Sequence, residues 1–168
     1  MSETFTYPSP AFPAQPEITM SVPKGWVALA AVGLPMAFAR EGLNAKFRPN
    51  VLVTLKRFGA GAEHSLLRNE VNKGIKQLGR FKEKSRQDPF EFDLGTQVAS
   101  GIRLEGTFND GKRGLVFQTQ RTFLIPTGYV SDLIQVTGSC EVAQITNVLE
   151  EILAIHDSLR LNDVRSAN

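Results

Sequence analysis

The residues that decide the fold are Val98–Thr137, VASGIRLEGTFNDGKRGLVFQTQRTFLIPTGYVSDLIQVT. Ile102, Leu104 and Phe108 alternate here with Arg103, Glu105 and Thr107, the period-two pattern of a strand with one face inward. Asn109-Asp110-Gly111-Lys112 predicts a hairpin turn, because Asp-Gly tolerates the positive φ angles that tight hairpins require. Gly114–Ile125 returns as a strand with Leu115, Phe117 and Phe123 inward and Gln118, Gln120 and Thr122 outward. Pro126-Thr127-Gly128 turns the chain again, and Tyr129–Thr137 is the third strand. Connections this short join antiparallel neighbours, so the stretch is a meander.

Working outward, Phe81–Asp93 is polar and interrupted by Pro89, which fits an edge strand or a long loop. Before it the period changes. Leu67, Val71, Ile75 and Leu78 share one helical face over residues 62–78, and Gly79 is a stop signal. Gly74 weakens this helix by about 1 kcal/mol relative to alanine, so packing must hold it. Further upstream, Ile18, Met20 and Val22 alternate, Met36–Arg40 is a second candidate strand, and Asn50–Phe58 is a third. Downstream, Ser139 offers a helix N-cap with Glu141 in the first turn. Val142, Ile145, Leu149, Ile152, Ile155 and Leu159 form the apolar stripe of a closing helix. Helices do not alternate with every strand, which disfavours a doubly wound fold. The expectation is an α+β domain, an antiparallel sheet of about six to seven strands sandwiched by helices. Its expected bounds are a Pro-rich tail over 1–16, one domain over 17–161 and a polar tail over 162–168.

The chain has 168 residues, one cysteine and a formal net charge of +2. That charge is unevenly spread. Residues 40–86 carry 12 basic and four acidic side chains, and residues 87–168 carry six basic and 11 acidic ones. Side by side, the two blocks would neutralise each other; on opposite faces they would polarise the molecule. The near-balance removes the simplest argument for nucleic-acid binding. Phe47, Phe58 and Phe81 lie among basic residues, but Phe58 and Phe81 fit core positions. No nucleic-acid partner is expected.

Trp26–Ala39, WVALAAVGLPMAFA, mimics a signal-peptide core. It starts late, Pro35 splits it, and it is shorter than the roughly 20 residues that cross a bilayer. It is expected to be two buried strand-like pieces, with no membrane partner and a cytoplasmic location.

No pattern of catalytic side chains stands out. Gly59-Ala60-Gly61 lacks the third glycine of a dinucleotide fingerprint, because His64 occupies that place. His64 and His156 are the only histidines, with no metal-ligand spacing. His64 is expected at the surface and His156 at the border of the core. Cys140 has no partner cysteine or base motif and is expected to be structural. No catalytic residue, metal or cofactor is expected.

Several short segments together carry a likeness. They are Ile18-Thr19-Met20-Ser21-Val22-Pro23-Lys24-Gly25-Trp26, Phe47-Arg48-Pro49-Asn50-Val51-Leu52-Val53, the 62–78 helix, the Gly101–Gly106 strand and the Tyr129–Thr137 strand ahead of the closing helix. In this order they resemble the LpqN family of actinobacterial proteins, within the wider PsbP-like superfamily, over roughly residues 17–160. The resemblance implies an antiparallel sheet between helices. Typical members also carry a lipid-attachment cysteine near the N-terminus. This chain has no cysteine before Cys140, so the anchor is not carried over. The family lends no catalytic residues.

The function expected on these grounds is a non-enzymatic protein-binding module that engages a protein partner, a second copy included, through its sheet or a helix–sheet groove. Trp26, Phe38 and Phe47 are the expected aromatic anchors if exposed. A cytoplasmic chaperone or adaptor for a secreted effector, as among DcrB-like relatives, is the alternative. A small-ligand domain or an enzyme is the rival class, to be told by a pocket with convergent polar groups and shifted pKa values.

Overall fold

The computed structural model describes residues 3–4 and 6–162. The expected polar tail beyond Asn162 lies outside the described residues, as do Met1, Ser2 and Phe5 of the Pro-rich stretch. The elements are β1 (Glu17–Thr19), β2 (Trp26–Ala28), β3 (Met36–Arg40), β4 (Asn50–Gly59), α1 (His64–Gln77), β5 (Lys82–Asp93), β6 (Val98–Asn109), β7 (Leu115–Thr127), β8 (Val130–Glu141), a 3-10 turn (Val142–Gln144), α2 (Ile145–Asp157) and β9 (Arg160–Asn162). Seven strands make one antiparallel sheet in the order β2-β3-β4-β8-β7-β6-β5. One helix lies on each face, as an α+β sandwich requires. Ile18 pairs with Leu161, so β1 and β9 form a separate two-stranded ribbon instead of the three-strand start suggested by the Ile18–Val22 alternation.

The meander is present over its expected length, with one difference of burial. Gln118, Gln120 and Thr122 are buried, whereas Leu115 is exposed. The reason is position: β7 lies between β6 and β8, and both its faces are interior. Ser139 is not a helix cap. It continues β8, opposite Asn50 and Gln118, because β4 pairs with the strand as far as Ser139 and β7 holds it to Glu141. Residues 81–93 take the edge-strand alternative. The β5–β6 register shifts between Gln87 and Phe90, across Pro89, where a missing N–H is harmless.

The two helices do not sit back to back. Leu67 and Val71 of α1 pack with Ile102 and Leu104 of β6 and with Leu133. On the other face, Val148, Ile152 and Ile155 of α2 pack with Val51 and Val53 of β4 and with Ile134 and Val136 of β8. Two glycines make these approaches possible. At Gly138 a Cβ would fall 3.0 Å from His156 Nε2 and closer still to Ile152, so α2 sits directly on β8. At Gly101 a Cβ would collide with the Phe92 ring, which fills the gap in β6.

The charge blocks meet across elements. Arg40 pairs with Glu151 at 2.8 Å, Arg68 with Asp88 at 2.7 Å and Arg57 with Asp132 at 2.8 Å. Arg57 also donates to the carbonyls of Pro13 and Ala14, fastening the N-terminal stretch over the buried Asp132.

Candidate functional site

Trp26 and Phe38 are 6% and 7% exposed, so the condition set for them as surface anchors is not met. They belong to the α2-side core, and Trp26 Nε1 donates to Glu151, tying β2 to α2. Phe47 is half-buried, with the Arg113 guanidinium 5.9 Å from its ring centre. The apolar 26–39 segment is likewise not buried throughout. Its two strands are joined by a loop in which Leu29 is exposed and Val32 wholly so.

His64 is partly buried and engaged with Asp88, which also holds Arg68. Arg68, and then His64, keep the Asp88 carboxyl below its ordinary range. This triangle fastens the start of α1 to β5. Cys140 is sealed in β8, and burial pushes its thiol up to about 11, which leaves no thiolate near neutrality. Among the described residues no group of three or more His, Cys, Asp or Glu side chains could hold a metal ion.

The polar groups that converge do so on the face of α2. This helix covers β4 and β8 but leaves the β5–β6 half of that face to a groove. Cross-strand partners share a face, so Arg103 and Arg121 lie side by side there, as do Glu105 and Thr119. Phe90 and Phe92 form the outer wall, with ring centres 4.8 Å apart. Arg103 lies 5.9 Å from the Phe90 centre and Arg121 6.0 Å from the Phe92 centre, both within cation–π range. The groove deepens at the C-terminal end of α2 into a cleft of about 220 Å³ lined by Phe90, Phe92, Arg121, His156, Asp157 and Arg160.

The pairing of these groups is incomplete. Arg121 is buried, and its Nη1 forms an ion pair with Asp157 at 2.6 Å while its Nε has no partner. Both ring nitrogens of His156 and the Thr119 hydroxyl are also buried without partners. Burial first, and then Arg121 and Arg103, push the His156 pKa down to about 3. His156 is therefore neutral at neutral pH, with Arg121 and Arg103 opposing its protonation. Arg160 donates to the carbonyls of Asp157 and Leu159, satisfying the last turn of α2.

None of these groove residues was singled out as a binding residue from sequence. A signal did exist for Arg121. It has the same parity as Phe117 and Phe123, so a permanent charge occupies an inward position of a central strand.

No family model matches the chain, and no curated protein matches it. Solved structures do. LpqN of Mycobacterium tuberculosis, described as involved in cell envelope biogenesis, superposes with a TM-score of 0.72 at 17% identity over 90% of this chain and 86% of that one. The cyanobacterial PsbP protein CyanoP of Synechocystis sp. PCC 6803 gives 0.58 at 12% identity over 86% of this chain and 92% of that one. A structure from Bacteroides thetaiotaomicron gives 0.51 at 11% identity over 90% of this chain and 47% of that one. At these identities the likeness is one of fold, and the fold is PsbP-like.

Proposed function

We propose that this PsbP-like fold serves as a non-enzymatic protein-binding module whose partner seats in the groove between α2 and the β5–β6 half of the sheet. The observation that carries the reading is the set of buried, unpartnered polar atoms on Arg121, His156 and Thr119 beside the Phe90–Phe92 wall. Unpaired buried polar groups each cost about 1–3 kcal/mol, so a fold that keeps several together is suited to receiving their partners from outside. Aromatic and arginine side chains are also the groups that most often dominate binding energy. The same site is poorly equipped for catalysis, since a histidine whose pKa is pushed down to about 3 is a weak base. The cleft is smaller than the roughly 300–1,000 Å³ of usual small-molecule sites, which favours one inserted side chain over a cofactor. Cytoplasmic residence is part of this proposal and is checked by cell fractionation.

Site-specific photocrosslinking in the native cell tests the reading. The reactive side chain is placed at Gln87, exposed on the groove's edge strand, and in separate chains at Val32 on the exposed apolar loop. One protein captured reproducibly from Gln87 and not from Val32 supports the groove. Capture of that protein from Val32 alone moves the binding face to the β2–β3 loop.

A further inference from the structure

The polar end of the groove has a feature that binding in general does not explain. Asp157 is the last residue of α2, where the helix dipole disfavours negative charge. Its side chain is 68% exposed, and its partner Arg121 is only 10% exposed. A buried guanidinium with one exposed carboxylate as its ion-pair partner, and with Nε idle, is an incompletely neutralised cation. Arginine takes a carboxylate best across two parallel N–H groups, whereas Asp157 meets the guanidinium at Nη1 and leaves Nε without a partner. Phe92 flanks the guanidinium with its ring centre 6.0 Å away, on the interior side of the pair, while Asp157 faces solvent.

We propose that Arg121 is a receptor for the carboxylate of a single acidic side chain presented by the partner, and that Asp157 is the internal stand-in that this carboxylate replaces. The inference rests on the groove being the binding face. The exchange is close to balanced, since an exposed carboxylate returns to water as another leaves it. Arg160 lines the same cleft, as do Glu91 and Asp93, and Arg103 beside it is turned to Glu105 at 3.0 Å, so Arg121 is the cation on which an incoming carboxylate depends. The cleft's size admits one carboxylate-bearing side chain with its apolar stem against Phe90.

The test titrates the full chain with sodium acetate, with sodium chloride and acetamide as controls, following backbone amide shifts by nuclear magnetic resonance. The expected result is saturable shifts at residues 119–123 and 155–160 with acetate alone, with affinity on the order of millimolar. Asp157→Asn removes the competitor and should tighten acetate binding by roughly threefold, the scale of an exposed ion pair. Arg121→Lys keeps the charge but loses the fork, and should weaken binding by about tenfold with its own fold checked by thermal unfolding. Equal shifts from chloride, no response to acetate, or no gain from Asp157→Asn would each overturn the receptor. None of these failures touches the groove reading, which is judged by crosslinking from Gln87.

Discussion

His156 is a side chain that the folded protein holds at a cost. It lies over Gly138 with neither ring nitrogen partnered and with its pKa pushed down to about 3. Below about pH 6.5 the unfolded chain binds a proton there and the folded chain does not. The stability it contributes is therefore intact above that pH and is lost as pH falls toward about 3. We predict that the wild type loses about 2 kcal/mol more than His156→Leu between pH 7 and pH 5, measured by urea unfolding at each pH. At pH 7 the leucine variant should be more stable by about 1 kcal/mol, because an apolar group of similar size removes unpaired polar atoms. A large loss of stability instead would show that the imidazole is anchored by partners. Gly138→Ala tests the same contact from the sheet side. Its methyl group meets Ile152 and His156, and unfolding should show a loss of about 2 kcal/mol or more.

At the scale of elements, the strand that carries the site was legible and its burial was not. Alternation in Gly114–Ile125 located β7, but alternation alone assigns one face to water. Only the sheet order shows that β7 is central, which turns Gln118, Gln120 and Thr122 into interior residues. Ser139 misled for a related reason. A serine before an apolar stripe has the form of a cap, yet pairing with β4 and β7 outweighs a local preference worth about 1 kcal/mol. The alternation around Ile18 marked β1, but its partner β9 was hidden because a three-residue strand at the end of a helix carries almost no periodicity. The N-terminal stretch is an element whose attachment can be measured. Arg57→Met strips the fully buried Asp132 of its ion-pair partner and releases the Pro13 and Ala14 carbonyls. It should cost about 3 kcal/mol in denaturant unfolding and speed proteolysis near residues 6–16. Unchanged cleavage there would mean that other contacts hold the stretch.

At the scale of the whole molecule, two helices of 14 and 13 residues cannot cover both faces of a seven-stranded sheet. They are offset, one over β6 and β7, the other over β4 and β8. The groove follows from that offset, and the cross-strand Arg103–Arg121 neighbours give it its charge. This arrangement explains how much function the sequence could show. The order of strands and helices, with its likeness to the PsbP-like fold, was readable from periodicity and short motifs. The groove was not, because Phe90, Arg103, Arg121 and His156 come from four separate elements and meet only in three dimensions. Trp26 and Phe38, expected as anchors if exposed, are buried, because hydrophobic size alone does not separate a core side chain from an interface one. The groove as the binding face is the central claim, and hydrogen exchange on the complex with the crosslinked partner tests it most directly. The account predicts new amide protection in β5, β6 and the last turn of α2, with the 29–35 loop exchanging as in the free chain. Protection confined to that loop, with the groove unchanged, would contradict it.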